Sequence, residues 1–216
     1  MKVLVIDVGG TCVKFAATGH KTALRFPSGP TLTPREMVAE VKKLAPNWKY
    51  DAITIGYPGV IKRGRIVEEP HNLGPGWIGF NFQAAFRRPV KLVNDAAMQA
   101  LGSYKGGLML FLGLGTGLGS ALINDGAVVP LSLAHLAYKQ GTYEDYVGTR
   151  GLKRLGKARW RKHIADAAAR FIGAIKPDDV VVGGGAAKHL NKAPKGCRLG
   201  DNADAFVGGA LLWKNG

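Results

Sequence analysis

Two stretches of this chain place glycines between strand-like runs, and they constrain the fold more than any other feature. The stretch "LMLFLGLGTGLGSALINDG" covers residues 108–126, and "VLVIDVGGTCVKFAATGHK" covers residues 3–21. Both predict a strand, a glycine turn, a second strand and a hairpin in the same order, which is typical of two related half-folds. Glycine turns leave backbone amides uncovered by side chains, so two such turns facing across a cleft are suited to holding a phosphate chain.

The remaining patterns alternate helices with short buried strands. "TPREMVAEVKKLA" predicts a helix, because Thr33 and Glu36 match a capping box and Pro34 fits the first helical position. The opening repeat predicts strands over residues 3–8, 11–18 and 21–26. Further strands are predicted in "DAITIGY" and "PVKLVND", further helices over residues 95–104, 158–175 and 203–213, and a strand, glycine turn and helix in "DDVVVGGGAAKHL".

Composition indicates an ordinary globular protein. The chain has 216 residues, of which 46% are hydrophobic, and it contains no apolar run long enough for a membrane helix. Its two cysteines, Cys12 and Cys197, offer no disulfide framework and no zinc knuckle. The charge and glycines near the start do not match a signal peptide. We therefore expect a cytoplasmic protein that has no membrane partner.

The net charge of +15, from 30 basic and 15 acidic residues, is unusually high. Such an excess attracts polyanions. The densest basic cluster runs from Lys153 to His163 and is interpreted either as a track for a polyanion or as a solvated helix face. A basic proteome or selection for solubility would also explain the total charge.

Two glycine motifs resemble nucleotide sites without satisfying them. "GLKRLGKA" at residues 151–158 nearly matches GxxxxGK[ST], but Ala158 stands where a hydroxyl must bind metal, and no buried strand precedes it. We expect a basic helical segment there instead. "GGGAA" at residues 183–187 lacks the GxGxxG spacing of a dinucleotide site.

Five motifs in order resemble the ROK group (repressor, open reading frame, kinase) of sugar kinases. They are "IDVGGTCVKFA", "GYPGV", "LVNDA", "LGLGTGLGSAL" and "VVVGGGAAK", and they span nearly the whole chain. "EPHNLGPGWIGFNF" and "GSALINDGAVVP" most resemble the group's polyphosphate glucokinase branch. The resemblance implies an α/β, two-lobed actin-like/hexokinase-like (ribonuclease H-like) fold with an interlobe cleft. We expect residues 1–105 plus 203–216 to form the N-terminal lobe and residues 106–202 the C-terminal lobe.

The resemblance also implies roles for individual residues. Asp7 would anchor Mg²⁺ at the phosphoryl donor, and Asp95 would be the catalytic base. The donor would be held by two sets of residues and a nucleotide-side loop: Asp7, Gly9, Gly10, Thr11 and Lys14; Gly113, Gly115, Thr116 and Gly117; and Gly184 and Gly185. The sugar would be contacted by Asn72, Asn94, Asp95, His135 and Glu144.

Elementary chemistry is compatible with Asp7 as the metal anchor and Asp95 as the catalytic base. Phosphoryl transfer depends on positioning and charge neutralisation, which amide-rich loops and a metal-anchoring carboxylate supply. Asp95 stands between a strand and a helix, where it can accept a proton from an attacking hydroxyl. The structural alternative is that Asp95 only caps the helix. Asp7 lies in an apolar run, where a buried carboxylate needs a polar or metal partner.

The chain departs from the ROK pattern near the sugar. In "VPLSLAHL", Ser132 or its neighbour stands where the family has Glu, Ala134 replaces Gly, and one residue is missing. A neutral Ser holds a pair of hydroxyls less firmly than a carboxylate does, which bears on the affinity for the sugar and on its identity. The zinc segment of many ROK proteins is absent.

The sequence thus predicts a kinase acting on the 6-hydroxyl of a hexose, with glucose and inorganic polyphosphate as the expected substrates. Alternatives are an ATP-dependent hexokinase of the glucokinase or fructokinase type and a non-catalytic homologue that binds sugar or phosphate. A sugar-responsive repressor is not expected, since no helix-turn-helix precedes the first loop. We expect a homodimer and no nucleic-acid partner.

Overall fold

The computed structural model describes residues 1–20 and 22–214. The chain divides into two compact units. Unit 1 comprises Met1–Met98 and Ala205–Gly216, and unit 2 comprises Gln99–Asp204. The lobe boundaries derived from the sequence stay a prediction.

The first half of the chain builds the sheet of unit 1. Its elements are β1 (Val3–Val8), β2 (Cys12–Ala17), β3 (Leu24–Pro27), α1 (Pro34–Leu44), β4 (Ala52–Tyr57), β5 (Ile61–Lys62), β6 (Arg65–Ile66), α2 (Phe82–Phe86), β7 (Val90–Asn94) and α3 (Asp95–Ser103). The five-stranded sheet has the order β3-β2-β1-β4-β7. Strands β1, β4 and β7 run parallel, whereas β2 and β3 are antiparallel neighbours. The apolar runs of β1 and β4 are buried almost throughout, as expected for central strands covered on both faces.

The second half of the chain builds the sheet of unit 2. Its elements are β8 (Leu108–Leu114), β9 (Leu118–Asn124), β10 (Ala127–Leu131), a 3₁₀ turn (Leu133–His135), β11 (Ala137–Tyr138), β12 (Gly141–Thr142), α4 (Tyr143–Val147), α5 (Thr149–Ile175), β13 (Asp179–Gly183), a 3₁₀ turn (Ala187–His189) and β14 (Arg198–Leu199). The last helix, α6 (Asp204–Leu211), belongs to unit 1 from Ala205 onward. The sheet order is β10-β9-β8-β13-β14. Strand β8 is antiparallel to β9 and parallel to β13.

The two sheets therefore begin with the same motif. In unit 1 the first strand pairs with the second up to Val8 and Val13, and in unit 2 the pairing reaches Leu114 and Leu118. A hairpin to a third antiparallel strand follows in each unit, and a parallel strand lies on the other side of the first strand. The half-repeat predicted from the sequence is confirmed.

Each unit has its own hydrophobic core. In unit 1, Ile6, Phe15, Met37 and Trp77 are fully buried. In unit 2, Trp160 is fully buried, and its Nε1 donates to the carbonyl of Val147 at 2.8 Å, which ties α5 to the end of α4. Within residues 1–20 and 22–214, no helix is both long and apolar enough to cross a membrane.

The predicted start of α1 is confirmed in detail. The Thr33 hydroxyl accepts from the amide of Glu36 at 3.3 Å, and the Glu36 carboxylate accepts from the amide of Thr33 at 2.8 Å. These reciprocal bonds satisfy amides that a helix leaves without partners, and they hold the pKa of Glu36 below its usual value.

Two element predictions need correction, at the triple glycine and at β3. Helix α5 spans Thr149–Ile175, which confirms both the basic helical segment predicted at residues 151–158 and the helix predicted over residues 158–175, and Gly156 interrupts it with non-helical angles of φ 72° and ψ 161°. The helix predicted after the triple glycine is only a 3₁₀ turn, because the backbone is already extended at Leu190. Strand β3 begins at Leu24 rather than residue 21, and Lys21 itself lies outside the described residues.

Candidate active site

The turn at residues 9–11, called here the first glycine loop, connects β1 to β2. The Gly9 amide donates to the carbonyl of Cys12 at 3.2 Å, and the Thr11 carbonyl accepts from the amide of Ser28 at 3.1 Å. Within the described part of the chain, the amides of Gly10 and Thr11 donate to no acceptor. Two consecutive free amides on a turn attract an anion.

Asp7 lies near the end of β1, beside this loop. Its cross-strand partner is Lys14 on β2. Burial raises the pKa of the Asp7 carboxyl above its ordinary value of 3.8, and the charge of Lys14 opposes that rise. Among residues 1–20 and 22–214, no group donates a hydrogen bond to the Asp7 carboxylate. The carboxylate is therefore free to take a cationic ligand.

Asp95 is the first residue of α3 and follows β7 directly. Gly56 on β4 pairs in register with Asp7, and a Cβ at Gly56 would lie 3.5 Å from the Cα of Asp95 and overlap the methyl of Met98. Glycine at this position thus lets α3 approach the sheet closely, next to Asp7. Burial first, and the charge of Asp7 second, raise the pKa of Asp95 from 3.8 to about 7.

The helix cap is provided by Asn94 rather than by Asp95. The Asn94 Oδ1 accepts from the amide of Ala97 at 3.1 Å, three residues on, as an N-cap does. The Asn94 Nδ2 donates to the carbonyl of Gly59 at 3.2 Å, whereas Asp95 Oδ1 accepts from the next amide, that of Ala96, at 2.8 Å and, among the described residues, from no amide three residues on. Capping therefore does not explain the presence of Asp95, and Asn94 keeps one amide hydrogen for a ligand.

The loop that carries Asn72 is held by an acidic residue that the sequence analysis missed. The two carboxylate oxygens of Glu69 accept from the amides of Trp77 and Ile78, each at 3.1 Å. Asn72 itself is exposed in a turn, and no contact in the described residues joins it to Asp95. A carboxylate ahead of the glycine-rich "LGPGW" was the available signal for Glu69.

The turn at residues 115–117, called here the second glycine loop, connects β8 to β9. The Gly115 amide donates to the carbonyl of Gly117 at 3.2 Å. The amides of Thr116 and Gly117 have no acceptor within the described residues. This loop therefore repeats the pair of free amides that the first loop presents.

The other predicted donor-side glycines lie beside this second loop. Gly113 on β8 pairs in parallel register with Gly183 on β13. The turn that follows Gly183 contains Gly184 and Gly185, and it is bound to β8 because the Ala186 amide donates to the Leu114 carbonyl at 2.9 Å. Unit 2 thus brings the predicted donor residues of its two glycine turns together.

Glu144 is next to the second glycine loop, on α4. Its Oε2 would lie 2.6 Å from a Cβ placed on Gly117. His135 is exposed on the 3₁₀ turn that precedes β11, and the adjacent carbonyl of Leu136 accepts from the amide of Tyr143 at 3.2 Å. The residues predicted to contact sugar in unit 2 are therefore on adjoining segments, with only Glu144 at the glycine loop.

The basic cluster on α5 consists of two kinds of residue. Arg154 donates to the carbonyl of Asp145 at 2.8 Å, and Arg161 donates through Nε and Nη2 to the carbonyl of His189 at 2.8 and 2.7 Å. These two arginines support the fold. The remaining members on the exposed surface are Lys153, Lys157, Arg159 and Lys162.

Comparison with known proteins supports the fold and the family. The polyphosphate glucokinase of Mycobacterium tuberculosis is 28% identical to this chain, with 95% of this chain and 84% of the relative aligned. The inorganic polyphosphate/ATP-glucomannokinase of Arthrobacter sp. strain KM has a TM-score of 0.83 at 24% identity, covering 98% of this chain and 97% of that one. A ROK family glucokinase from Streptomyces griseus, in complex with glucose and AMPPNP, has a TM-score of 0.76 at 17% identity, and both chains are fully covered.

These likenesses confirm the predicted α/β actin-like/hexokinase-like fold, while the interlobe cleft stays a prediction. The branch predicted from the sequence, polyphosphate glucokinase, is the one to which the curated relatives belong. The sequence model of the ROK family matches residues 3–130, which is more than half of the chain. This chain belongs to the ROK family.

Proposed function

We propose that this protein is a sugar kinase that transfers a phosphoryl group to the 6-hydroxyl of a hexose, with glucose as acceptor and inorganic polyphosphate as donor. One observation carries the proposal: within the described residues each unit has a glycine loop with two consecutive amides that donate to no acceptor, and in unit 1 that loop adjoins the half-buried Asp7, whose charge acts on the half-buried Asp95. Phosphoryl transfer needs anion-binding amides, a metal-anchoring acid and a proton acceptor.

The two loops are assigned to the donor. Free amides at a turn bind phosphate oxygens without competing side chains, so Gly10 and Thr11 would bind from unit 1, and Thr116 and Gly117 from unit 2. Lys14, beside Asp7, adds a positive charge at the first loop. If the donor is ATP, Gly184 and Gly185 would face the nucleotide.

Asp95 is assigned as the base that accepts the proton of the attacking hydroxyl. A general base is most effective when its pKa is near the working pH, and the pKa of Asp95 is about 7. Among the described residues, the hydrogen bonds that its carboxylate accepts come from adjacent backbone amides, chiefly that of Ala96, so lone pairs remain for a substrate hydroxyl. As the hydroxyl gives its proton to Asp95, its oxygen would bond to the terminal phosphorus, the bond from that phosphorus to the bridging oxygen would break, and the shortened polyphosphate would leave with the electron pair.

Asp7 is assigned to Mg²⁺. Within residues 1–20 and 22–214, no cluster of three or more His, Cys, Asp or Glu side chains would hold a metal. Mg²⁺ needs no such cage, since it commonly binds one or two carboxylates, substrate phosphates and water. The Asp7 carboxylate, which is half-buried and accepts no hydrogen bond from the described residues, fits that pattern. When bound there, Mg²⁺ would neutralise charge on the donor phosphates.

The sugar is assigned to Asn72, Asn94, His135 and Glu144, together with Asp95. Glu144 offers a carboxylate next to the second glycine loop, and Asn94 offers its remaining amide hydrogen. Ser132 precedes the 3₁₀ turn and is exposed, and its side chain makes no cap. Glucose as the acceptor follows the names of the curated relatives, and the homodimer and cytoplasmic location stay predictions.

Polyphosphate as donor is supported by the exposed cations of α5. A phosphate chain longer than the active site must lie along the protein surface, where basic side chains bind its further phosphates. Lys153, Lys157 and Lys162 are exposed and make no ion pair or hydrogen bond within the described residues, unlike Arg154 and Arg161. We therefore assign the polyphosphate track to these lysines.

A donor titration tests the proposal. Hexose 6-phosphate formation is measured with short polyphosphate, long polyphosphate and ATP, each at low and high salt. We expect KM for polyphosphate to fall as the chain lengthens and this advantage to shrink with salt, because exposed charges are screened within about 8–10 Å at physiological ionic strength. The combined change of Lys153, Lys157 and Lys162 to Ala should weaken the long chain most.

The matched control changes Lys2, Lys49 and Lys62 to Ala, which removes the same charge from exposed positions of unit 1. It should leave the dependence on chain length intact. A preference for ATP, or no dependence on chain length, would identify an ATP-dependent hexokinase instead. Binding of glucose or polyphosphate with no product from any donor would identify a non-catalytic homologue.

A further inference from the structure

The start of α5 is seated directly on the second glycine loop. The Thr149 amide donates to the carbonyls of Gly115 at 3.0 Å and Thr116 at 3.3 Å. A Cβ at Gly148 would lie 2.5 Å from the Thr116 carbonyl oxygen and 2.7 Å from that of Glu144. A Cβ at Gly151 would collide with the Tyr146 carbonyl oxygen. Gly148 thus allows the start of α5 to approach the loop closely and Gly151 allows it to approach α4, and Arg150 lies between these two glycines.

The guanidinium of Arg150 is held only weakly. Its Nη2 is 3.6 Å from Glu144 Oε1 and 3.9 Å from Asp145 Oδ1, distances too long for strong hydrogen bonds. The side chain is 72% exposed, and exposed ion pairs of this kind contribute little to stability. The neighbouring Arg154, in contrast, makes a 2.8 Å bond to a backbone carbonyl. Arg150 is therefore available to another anion.

One carboxylate lies against both Arg150 and the loop. Glu144 Oε1 is the atom that faces Arg150, and Glu144 Oε2 is the atom next to Gly117. The amides of Thr116 and Gly117, without an acceptor among the described residues, are on this same loop. An anion bound by those amides would lie beside the Glu144 carboxylate and would therefore compete with that carboxylate for Arg150.

We propose that Arg150 is a donor-binding residue: it leaves the Glu144 carboxylate and binds a phosphate of the donor at the second glycine loop. This inference rests on the proposed kinase function. The planar guanidinium matches phosphate oxygens in two-point geometry, and a phosphate carries more negative charge than the carboxylate it replaces. No covalent bond changes in the exchange.

The exchange couples the donor to Glu144. While Arg150 is paired with Glu144, the carboxylate and the donor phosphate compete for one guanidinium. Donor binding frees the carboxylate to accept a hexose hydroxyl, so each substrate raises the affinity for the other. Removal of the Glu144 charge should therefore strengthen donor binding while weakening sugar binding, a pair of opposite effects that a merely structural role would not produce.

The test measures the Kd of tripolyphosphate by calorimetry and the KM of the donor in the kinase assay. We expect Arg150→Ala to raise both by roughly 10- to 100-fold, the range for one lost hydrogen bond to a charged group. Arg150→Lys should recover part of the loss, because a point charge remains without the fork. Glu144→Gln should lower the tripolyphosphate Kd by a few-fold and raise the KM for the hexose.

The matched control is Arg35→Ala. Arg35 is also exposed and also occupies the second position of a helix, α1, but within the described residues no hydrogen bond joins the start of α1 to the first or the second glycine loop. It should leave both constants unchanged. A tripolyphosphate Kd for Arg150→Ala equal to that of the wild type would overturn the inference, and so would an unchanged or raised Kd for Glu144→Gln. Absence of sugar phosphate from the wild type would overturn the proposed function instead, while the calorimetric comparison would still decide the role of Arg150.

Discussion

The two glycine loops have the same backbone and different side-chain surroundings. Both connect the first two antiparallel strands of a sheet with the same strand order, and both present two consecutive amides without acceptors among the described residues. The first loop adjoins two carboxylates, Asp7 and Asp95, whose pKa values are raised by burial. The second loop adjoins Arg150, held by Glu144 at 3.6 Å.

In the proposed function, this difference divides the work of one reaction between the two units. Backbone amides would bind phosphate in either unit, which needs only the strand–turn–strand geometry. The proton acceptor and the metal ligand would be the carboxylates beside the first loop, Asp95 and Asp7, whereas the carboxylate beside the second loop, Glu144, is paired with Arg150. The cations that would bind a long anion lie at the second loop and along α5.

The largest effect is expected when the proposed base of unit 1, Asp95, is removed. Asp95→Asn should lower kcat by roughly 10²–10⁴, the usual contribution of a general base. Near pH 4, where the Asp95 carboxyl is neutral like the Asn amide, the melting temperature should stay within a few degrees, because Asn94 rather than Asp95 caps α3. Steady-state kinetics and thermal unfolding measure both. Turnover near that of the wild type would contradict the assignment, and loss of folding would show that Asp95 is chiefly structural.

The second effect is the pH dependence of activity and stability, which distinguishes the first glycine loop, beside Asp7 and Asp95, from the second glycine loop, beside Arg150. The base must be ionised, so kcat/KM should fall about tenfold per pH unit below the Asp95 pKa of about 7 and level off above it. The folded state holds this proton more tightly than the unfolded state, whose Asp pKa is near 3.8. The contribution of Asp95 to the stability of the folded state is therefore complete below pH 3.8, decreases as the pH rises to about 7, and is lost above about pH 7.

A pH series on the wild type and Asp95→Asn checks both statements. The stability of the wild type relative to the variant should decrease between about pH 4 and pH 7 and then stay constant. A parallel stability curve for the two proteins across that range would show that the pKa of Asp95 is not raised. The contribution of Asp166 in unit 2 to stability should have the opposite pH dependence, since the hydrogen bond from the Tyr138 hydroxyl keeps the pKa of Asp166 low.

The smallest expected effect tests how closely the start of α5 packs against the second glycine loop. Gly148→Ala should destabilise the protein by about 1–3 kcal/mol, because its Cβ would lie 2.5 Å from the Thr116 carbonyl oxygen. The melting temperature should fall by roughly 2–10 °C. Gly115→Ala is the matched control for stability, since nothing lies within 4 Å of its added Cβ. Equal melting temperatures for the two variants would show that α5 is not closely seated on this loop.

Local rules explain why much of the fold was predictable. The capping box at Thr33 acts within one turn of helix, and the apolar runs of β1 and β4 need only burial to form central strands. The join inside α5 was not predictable in the same way. The basic helical segment at residues 151–158 and the helix over residues 158–175 were predicted separately, and no local pattern indicated the non-helical angles at Gly156 where they meet.

The sequence by itself determined the motifs of this protein: two glycine turns between strands, acids next to the first turn, and an excess of basic residues. Only the tertiary structure decided which groups are free to act. It assigned helix capping to Asn94, tied Arg154 and Arg161 to backbone carbonyls, and left Arg150 on a weak pair beside the second loop. The physical reason is that the availability of a donor or a charge depends on partners distant in sequence, which residue type and spacing do not specify.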